Sequence, residues 1–518
     1  MDIEFNKEFR YALDILENTN HNVFITGKAG TGKSTLLEYF CAHTKKNVVV
    51  LAPTGVAAVN VKGETIHSFF HFKPDITLNK IKKIKSEKSK SLYKNIEMII
   101  IDEVSMVRAD LLDCIDKFMR LNSKNSKLPF GGVQMVFIGD LYQLPPIVLT
   151  SEKGIFNSHY KSSYFFDTKV FSDCEMEIVE LTKIYRQKDD VFIRILNSIR
   201  NNTVRDDDLD ILNQRVIENI DIKNLDGYIY LTPLNRVATK INNERLEKIK
   251  LAIHRYEGII KGDFTEDNLP TDLNLELKVG AQVMLLNNDS EGRWVNGTIG
   301  KIVDIEEHSE EDIILVELST GEIVEVIPYT WELFHYRINP KTKMIETEVI
   351  GKFIQYPIKL AWAMTIHKSQ GKTFDKVVLD ISGGIFAYGQ VYVALSRCRS
   401  LDGLILTHPI KKKHIFMDKK IVKFLTSYQY GLSEKKIPLQ EKIEIIKEAI
   451  KNKCFLEITY LKTNDEKSKR IIKPIRVGEM NYLDKLFLGL EAYCLSRKDN
   501  RVFRIDRILE INETKNIY

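Results

Sequence analysis

The sequence predicts an α/β protein with two lobes built on parallel sheets, the second of which carries an inserted β-barrel. Three observations support this fold class. The run NVFITGKAGTGKSTLLEYFCAH at residues 22–43 places a glycine-rich turn between a strand and a helix. Later apolar runs end in polar residues, as strands of an open parallel sheet do where ligands bind. Residues 251–354 instead carry short β runs separated by Gly and Asn, which is typical of a small barrel.

The composition is that of a soluble protein with several domains. At 518 residues, with 44% apolar and 28% charged content, the chain is long enough for several cores. Lysine and arginine outnumber aspartate and glutamate only by 76 to 71, so any nucleic-acid surface must be local. The six cysteines form no C-x-x-C pair, which favours reduced thiols in a cytoplasmic protein. No secretion signal or apolar run of eighteen residues is found, so we expect no membrane association.

A phosphate-binding loop lies between the first predicted strand and its helix. Residues 27–34 fit the pattern G-x-x-x-x-G-K-[ST]. Glycines let backbone N–H groups approach clustered phosphate oxygens, and the helix N-terminus adds partial positive charge. Lys33 is placed to reach the β- and γ-phosphates, and the Ser34 hydroxyl to ligate Mg²⁺. The alternative is an incidental glycine-rich turn, which the flanking strand and helix disfavour.

Two further polar segments follow apolar strands. Asp102 and Glu103 come directly after the run 98–101, where a Mg²⁺-holding carboxylate and a water-activating carboxylate are needed. Gln143 follows the strand at 133–138, and its amide is placed to sense the γ-phosphate and orient water. The alternatives are an acidic loop and a solvated glutamine in a proline-rich turn.

Two arginines are candidates to neutralise charge on the terminal phosphate. Arg186 lies at the junction between a strand and an amphipathic helix, where it is either an ordinary surface charge or a group that reaches across a cleft. Arg397 ends a helical pattern at 389–397 whose apolar residues share one face. We expect both guanidinium groups to converge on the phosphate that Lys33 binds.

One segment of the first lobe combines short polar groups with aromatic and basic residues, as single-strand binding does. In GETIHSFF, Thr65 and His67 adjoin Phe69, and seven lysines follow within residues 80–94. The alternative is that the phenylalanines belong to the core and that the lysines form a solvated helix face.

A second α/β lobe begins at the strand pattern 228–231, with Asn235 beyond its end. It resumes at 356–371, where an apolar stretch that we interpret as helical precedes the polar cluster TIHKSQ. A single histidine in this place would favour a structural role, but so many polar groups together indicate a binding surface. Within the interrupting β region, the Asn-Gly pair at 296–297 predicts a tight turn, and the adjacent Trp294 either stacks on DNA or packs in the barrel.

In this order the motifs resemble those of the superfamily 1B DNA helicases, in particular the PIF (petite integration frequency) family and its RecD relatives. The matching stretches lie between about residues 22 and 410 and read GKAGTGKS, LAPTGVAAVNVKGETIHSFF, IIIDEVSMV, VFIGDLYQLPPI, LTKIYRQKDDVFI, LTPLNRVATKIN, KVGAQVMLLNN with VNGTIG, AWAMTIHKSQGKTFD and GQVYVALSRC. The resemblance implies two RecA-like lobes with ATP between them, an inserted SH3-like domain and 5′-to-3′ movement on single-stranded DNA. It also implies an adenine-reading glutamine before the phosphate loop, yet residues 1–22 contain no Gln.

The resemblance gives most of the candidate residues a role, with ATP and Mg²⁺ as cofactors and DNA as partner. The implied catalytic residues are Lys33, Glu103 as general base, Gln143, Arg186 and Arg397. The implied ATP ligands are Gly30, Thr31, Gly32, Lys33, Ser34, Thr35 and Gly371, with Ser34 and Asp102 holding Mg²⁺. The implied DNA contacts are Pro53, Thr54, Thr65, His67, Phe69, Asn235, His367, Lys368 and Ser369.

The resemblance also sets the expected domain boundaries. They are 1–192 for the first RecA-like lobe with a wedge at about 64–94, 193–250 and 355–432 for the second lobe, and 251–354 for the SH3-like domain. Residues 437–518 resemble a WYL domain, a small mostly-β module of bacterial regulators, on the segments FLEITY, EAYC and RVFRIDRI. There, Arg501, Arg504 and Arg507 form either a nucleic-acid or anionic-ligand site or a salt-bridged strand face.

Two functions from different classes fit these patterns. The first is an ATP-dependent helicase whose lobes close and reopen to move single-stranded DNA, unwinding duplex or structured DNA in repair, recombination or replication, with telomere maintenance as a family-level role. The alternative is a nucleic-acid-binding regulator that depends on the WYL module and uses ATP only as a switch. A phosphate-loop kinase leaves the second lobe and TIHKSQG unexplained. We expect a monomer associated with the nucleoid.

Overall fold

The structure is a computed structural model that describes residues 5–73, 75–148, 152–187, 189–217, 225–265, 269–309, 311–339, 341–342, 344–482 and 485–514. The chain forms two compact units. One comprises residues 1–197 and 205–415, and the other comprises residues 198–204 and 416–518.

The first lobe is a six-stranded parallel sheet in the order β3-β2-β4-β5-β1-β6, with helices around it. Its central strands are uninterrupted apolar runs, because both faces of a parallel sheet are covered. The elements are α1 (Lys7–Asn18), β1 (Asn22–Gly27), α2 (Lys33–His43), β2 (Val48–Ala52), α3 (Gly55–Asn60), β3 (Glu64–Thr65), α4 (Ile66–Phe69), α5 (Glu87–Asn95), β4 (Met98–Ile101), α6 (Ala109–Asn122), β5 (Gln134–Gly139), α7 (Lys153–His159) and β6 (Met176–Leu181). The helices α8 (Asp190–Arg200) and α9 (Asp206–Asn213) follow this sheet, and the Asn213 side chain donates to the Ile410 carbonyl at 3.0 Å.

The chain then starts a second lobe and is interrupted by antiparallel strands. The lobe begins with β7 (Ile229–Thr232) and α10 (Asn235–Lys248). The inserted strands are β8 (His254–Glu257), β9 (Ile259–Gly262), β10 (Asn274–Leu277), β11 (Gln282–Leu285), β12 (Ile299–Glu306), β13 (Ile313–Leu318), β14 (Ile323–Val326), β15 (Tyr329–Ile338), β16 (Ile345–Gln355) and β17 (Ile358–Leu360). They form one five-stranded sheet in the order β14-β13-β12-β11-β17, a three-stranded sheet β15-β16-β9 and the pair β10-β8.

Trp294 settles one open alternative of the sequence reading. It is buried in the core of the five-stranded sheet, and its indole N–H donates to the Asn287 side-chain oxygen at 3.1 Å. The indole therefore packs in the inserted region and offers no exposed face for a base. The predicted tight turn at 296–297 is confirmed by the Thr298 N–H, which donates to the Val295 carbonyl at 2.9 Å, and by Gly297, whose φ is +100°.

The second lobe resumes as a parallel sheet in the order β18-β7-β19-β20. Its remaining elements are β18 (Ala363–Thr365), β19 (Val377–Leu379), α11 (Gln390–Leu395) and β20 (Leu404–Leu406). The helical interpretation of the apolar stretch before TIHKSQ is wrong. This stretch forms β17, which pairs with β11, and β18, which pairs with β7. A short apolar run buried between neighbours does not distinguish helix from strand by periodicity alone.

A long hairpin of the inserted region, β15 with β16, packs on the first lobe; we call it the β-arm. The Tyr336 hydroxyl accepts a hydrogen bond from the Val50 N–H at 2.9 Å, and the Ile345 N–H donates to the Asn47 side-chain oxygen at 2.8 Å. Glu64 is fully buried beneath this hairpin and accepts from the Tyr336 N–H at 2.6 Å. His335 completes the contact, with its Nδ1 3.1 Å from the same carboxylate.

The C-terminal unit is a five-stranded antiparallel sheet in the order β24-β23-β22-β21-β25, covered by two helices. Its elements are α12 (Lys419–Lys436), α13 (Leu439–Lys451), β21 (Phe455–Leu461), β22 (Lys467–Tyr482), β23 (Lys485–Cys494), β24 (Asp499–Arg504) and β25 (Ile508–Thr514). The Ser433 hydroxyl of α12 donates to the Ile508 carbonyl at 3.0 Å and accepts from the buried Lys442 ammonium at 2.8 Å. These contacts join α12 to the sheet, so the compact unit begins before residue 437.

The predicted fold class is confirmed: two RecA-like parallel-sheet lobes, an inserted β domain and a small mostly-β C-terminal domain. Across the described ranges, no helix is both long enough and apolar enough to cross a bilayer.

Candidate functional site

The phosphate loop connects β1 to α2 in the conformation that its glycines permit. Gly30 and Gly32 have φ values of +80° and +85°, in the left-handed region that other residues rarely adopt. No described side chain caps the first turn of α2, so its N–H groups face the loop. The Lys33 ammonium donates to the carbonyls of Gly27 at 2.8 Å and Lys28 at 3.0 Å. This arrangement presents several donors to one anion.

The carboxylate pair lies at the carboxyl end of β4. Burial and the neighbouring Glu103 charge raise the pKa of Asp102 to about 7, although Lys33 acts in the opposite direction. Two acidic groups held this close favour a cation between them and an anionic ligand. Among the described residues no group of three His, Cys, Asp or Glu forms a metal cage. Mg²⁺ is usually held by one or two protein oxygens and substrate phosphates, so this donor set fits it.

Beyond β5, Gln143 is nearly buried and lines the same cleft. Its N–H donates to the Asp140 carbonyl at 3.0 Å, which fixes the turn. The Tyr392 hydroxyl of α11 donates to the Asp140 carboxylate at 3.2 Å and accepts from the Ala29 N–H at 3.1 Å. A side chain from the second lobe thus contacts both the phosphate loop and the turn that carries Gln143.

Arg186 and Arg397 both line the cleft that Lys33 lines, and their convergence on a bound phosphate stays a prediction. Arg186 donates to the carbonyls of Ser396 at 3.4 Å and Gly371 at 3.3 Å. Arg397 is fully buried and donates to the Val393 carbonyl at 2.9 Å, the Lys372 carbonyl at 3.1 Å and the Ser396 hydroxyl at 2.8 Å.

The two guanidinium groups also affect each other. Burial, together with the charge of Arg186, lowers the pKa of Arg397 to about 9, and burial lowers the pKa of Arg186. Both groups stay cationic at neutral pH. One fully buried and one partly buried cation, both held by uncharged acceptors, favour an anion beside them.

The cleft has a volume of about 1200 Å³ and lies between the two lobes. Eleven predicted site residues line it: Gly30, Thr31, Gly32, Lys33, Ser34, Thr35, Glu103, Gln143, Arg186, Gly371 and Arg397. Asp102 is not among the lining residues. The lining residues that the sequence did not point to include Tyr185, Asp189, Thr373, Arg399 and Ser400. Arg399 lies two residues beyond Arg397, and this closeness in sequence is the one signal that could have identified it as a lining residue.

The predicted DNA contacts fall into two groups around the ends of strands. In the first lobe, Pro53 and Thr54 follow β2, and Thr65 and His67 lie at β3 and α4. Thr54 and Thr65 use their side-chain oxygens as helix caps, accepting from the N–H groups of Ala57 and Ser68. Burial lowers the pKa of the half-buried His67, so it is neutral at pH 7. In the second lobe, Asn235 begins α10 and is exposed, and His367 and Lys368 are exposed beyond β18.

Two predicted DNA contacts need correction. Phe69 is fully buried and packs against Phe70 and Tyr93 at ring-centroid distances of 4.9 and 5.4 Å, so its ring cannot stack on a base here. Phe69 is therefore part of the apolar core of the first lobe. Ser369 is also fully buried, and its hydroxyl donates to the Ile366 carbonyl at 2.7 Å. In the lysine run, the side chain of Lys88 lies outside the described residues, while Lys82, Lys83 and Lys85 are exposed.

The TIHKSQG turn, residues 365–371, contacts the candidate catalytic groups. The Gln370 amide donates to Glu103 Oε2 at 3.0 Å, and the Gly371 carbonyl accepts from Arg186. The sequence predicts that Gln370 belongs to a binding cluster. It carries no signal for the contact with Glu103, because the two residues are 267 positions apart.

In the C-terminal unit two of the three candidate arginines, Arg501 and Arg504, form ion pairs. Arg504 donates to Asp506 at 2.6 Å and lies over the Phe487 ring, and Arg501 is 3.4 Å from Asp499. These contacts are those of a salt-bridged strand face, and Arg501 remains more than half exposed.

Two facing lobes that share a phosphate loop, a carboxylate pair and two arginines define a RecA-like nucleoside triphosphatase. Family models extend this: residues 4–209 match the PIF1-like helicase family, and residues 441–513 match the WYL domain. The chain belongs to the PIF1-like helicase family, as the motif resemblance predicted.

Full-length relatives support the assignment. The ATP-dependent DNA helicase Pif1 of Bdellovibrio bacteriovorus is 33% identical over 439 residues, which cover 83% of this chain and 93% of the relative. Human ATP-dependent DNA helicase PIF1 is 33% identical over 74% of this chain and 58% of its own length. The crystal structure of Bacteroides sp Pif1 with ADP-AlF4 is 39% identical, covers 83% of this chain and 98% of that chain, and gives a TM-score of 0.75. Bacteroides Pif1 bound to single-stranded DNA is 40% identical over the same shares and gives 0.59.

Proposed function

We propose that this chain is an ATP-dependent DNA helicase that moves 5′-to-3′ on single-stranded DNA and unwinds duplex or structured DNA in repair, recombination and replication. The observation that carries the proposal is one cleft lined by Lys33 and Glu103 of the first lobe and by Arg397 of the second. Because both lobes contact the same site, binding and hydrolysis of a triphosphate there can close and reopen them. Relatives that match most of this chain are ATP-dependent DNA helicases.

The proposed chemistry follows from the position of each side chain. Lys33 and the loop N–H groups bind the phosphates, and Glu103 accepts a proton from the attacking water. Gln143 orients that water, and Arg186 and Arg397 neutralise charge on the terminal phosphate. The Ser34 hydroxyl and the Asp102 carboxylate would hold Mg²⁺, which neutralises phosphate charge when bound.

The DNA path is proposed to run past the ends of strands in both lobes. In the first lobe the proposed contacts are Pro53, Thr54, Thr65 and His67; in the second they are Asn235, His367 and Lys368. Short hydroxyl, amide and cationic groups suit a phosphate backbone. The TM-score of this structure is 0.75 against both the unliganded and the ADP-AlF4-bound Bacteroides Pif1, and 0.59 against the complex with single-stranded DNA. This difference supports interpreting the structure as the DNA-free arrangement.

Steady-state ATP hydrolysis with and without a single-stranded oligonucleotide tests the catalytic assignment. Lys33→Ala and Glu103→Gln should each lower the stimulated rate by about 10²- to 10³-fold, since each removes a group that acts on the transition state. Strong hydrolysis in the parent chain that is indifferent to DNA would contradict the proposal. Strand displacement on duplexes with a 5′ tail, but not on matched duplexes with a 3′ tail, tests the direction.

The alternative is the regulator that depends on the C-terminal domain, and the match of residues 441–513 to the WYL domain keeps it open. Normal DNA binding and ATP turnover without strand displacement would favour it. We further propose a nucleic-acid or anionic-ligand contact at Arg501, whose side chain remains more than half exposed. Arg501→Ala should then weaken oligonucleotide binding and reduce its salt dependence by about one phosphate contact.

We propose that the enzyme works as a monomer in the cytoplasm, associated with the nucleoid. A solved complex describes two coordinating Pif1 helicases at forked DNA, with 38% identity and a TM-score of 0.58. Sedimentation of this chain alone and with a fork therefore decides between one and two copies.

A further inference from the structure

We propose that Gln370 restrains Glu103 in the absence of DNA, and that DNA contact at the neighbouring His367 and Lys368 releases this restraint. The inference rests on the proposed role of Glu103 as general base. It assigns Gln370 as a positioning residue that makes hydrolysis depend on DNA.

The restraint is a single hydrogen bond between the lobes. The Gln370 Nε2 donates to Glu103 Oε2 at 3.0 Å, which is a normal length for an amide bonded to a carboxylate. Glu103 has φ of +49° and ψ of +42°, in the left-handed region, so its backbone is already constrained before the side chain is held. The amide occupies one of the two oxygens with which the carboxylate would accept a proton.

The TIHKSQG turn is compact enough to transmit a displacement. The Lys368 N–H donates to the Thr365 hydroxyl at 3.3 Å, the Ser369 N–H to the Thr365 carbonyl at 3.0 Å, and the Gln370 N–H to the His367 carbonyl at 3.2 Å. His367 and Lys368 are exposed at the start of this turn, while Gln370 lies further in. A phosphate or base that moves the exposed end therefore moves the amide too.

The end of this turn and the next residue, Lys372, hold both arginines, so one movement affects three groups. The Gly371 carbonyl accepts from Arg186 at 3.3 Å, and the Lys372 carbonyl accepts from Arg397 at 3.1 Å. A displacement that lengthens the Gln370 contact also loosens the two guanidinium groups from their backbone acceptors. Release of the base and release of the arginines toward the phosphate are then coupled.

The size of the effect follows from the strength of one hydrogen bond. A bond of this kind shifts an equilibrium by about 3- to 10-fold. Without the donor, the DNA-free rate of ATP hydrolysis should rise by this factor. The DNA-stimulated rate should change by less than about 2-fold, because the bond is already broken in that state.

The test uses the full chain and the isosteric variant Gln370→Met, which keeps the length of the side chain and removes its donor. ATP hydrolysis is measured without DNA and with saturating oligo-dT, and oligo-dT affinity is measured by fluorescence anisotropy. We expect a 3- to 10-fold higher DNA-free kcat, a smaller stimulation ratio, and an oligo-dT affinity that is tighter by up to the same factor, because DNA no longer has to break this bond. Gln214→Ala, an exposed glutamine at the end of α9, serves as the control and should change neither rate.

A DNA-free kcat in Gln370→Met that is unchanged or lower would overturn the proposal, because it would mean that Gln370 is neutral or positions Glu103 for catalysis. If the Met variant is unstable to thermal unfolding, Gln370→Asn shortens the side chain, keeps it polar, and should give the same rise. Glu103→Gln distinguishes the two levels of inference. Full activity in Glu103→Gln would refute the proposed general base, whereas an inactive Glu103→Gln with no rise in Gln370→Met would refute only the restraint.

Discussion

Gly389 is the N-cap of α11 in the second lobe and lies directly against the backbone of the first lobe. A Cβ atom at this position would be 2.2 Å from the Tyr142 carbonyl oxygen and 3.0 Å from that of Gln143. The residue also has φ of +71°, in the left-handed region. We predict that Gly389→Ala disturbs the contact between the lobes and so lowers ATP hydrolysis much more than it lowers stability.

Two contributions to the substitution can be separated by magnitude. The left-handed backbone costs about 1–2 kcal/mol for a residue with a Cβ. The close contact is about 1 Å shorter than a normal carbon–oxygen separation, so the Tyr142–Gln143 turn must move by about that much. A misplacement of about 1 Å in a catalytic site can lower the rate by about 10²-fold. We therefore expect a modest loss of stability and a large loss of ATPase activity.

Gly321→Ala is the matched control. Gly321 has φ of +83° in the turn between β13 and β14, and a Cβ there meets nothing within 4 Å. It carries the same backbone cost without the contact. Chemical denaturation should show losses within about 1 kcal/mol of each other, while only Gly389→Ala loses DNA-stimulated hydrolysis. Equal ATPase rates in the two variants would show that the approach of the lobes at Gly389 is not required for the reaction and would refute this reasoning.

Three further outcomes follow from contacts described above. His335→Gln should lower the free energy of unfolding by about 1 kcal/mol at low pH. The hydrogen bond to buried Glu64 raises the pKa of His335, so the stabilising contribution is complete below about pH 6.5 and disappears as the pH rises through the raised pKa. Urea titrations at pH 6 and pH 8.5 should show this difference, and a loss that does not depend on pH would contradict it. The parent chain should hydrolyse GTP within about 10-fold of ATP, since Phe9 and an aromatic ring at Tyr185 line the cleft and residues 1–22 lack Gln; a 10³-fold preference for ATP in initial rates would contradict this. Phe69→Ala should lower the free energy of unfolding by about 3–5 kcal/mol in denaturant titrations, whereas lost oligonucleotide affinity without lost stability would restore Phe69 as a DNA contact.

Local patterns made the nucleotide side of the cleft predictable from sequence. The phosphate loop is one strand, one turn and one helix, so Gly30, Gly32 and Lys33 are placed relative to each other within a few residues. Asp102 and Glu103 follow from the rule that parallel strands end at one sheet edge. The arginines depended on resemblance for their role, because the sequence pattern around Arg186 fits a surface charge equally well.

Contacts between distant segments could not be predicted in this way. The hydrogen bond between Gln370 and Glu103, and the one between Tyr336 and Val50, depend on how lobes and hairpins meet, and neither leaves a periodic signal. The role of Phe69 could not be predicted for the same reason. An aromatic residue beside polar residues is compatible both with stacking on a DNA base and with packing in the core, and only its packed neighbours in the structure distinguish the two. The helical interpretation of residues before TIHKSQ failed because β17 and β18 are too short to show alternation.

The hydrogen bonds of Arg186 and Arg397 suggest how binding of a triphosphate is coupled to movement. In this structure their acceptors are uncharged groups: backbone carbonyls of the second lobe and the Ser396 hydroxyl. A phosphate oxygen is a stronger acceptor than a carbonyl, because charge-assisted hydrogen bonds are roughly twice as strong as neutral ones. A triphosphate on the phosphate loop therefore competes for the same donors and favours their transfer from Gly371 and Lys372 to the nucleotide. Those two carbonyls lie fewer than six residues along the chain from the exposed His367 and Lys368, so the connection from the phosphate to the proposed DNA surface is short.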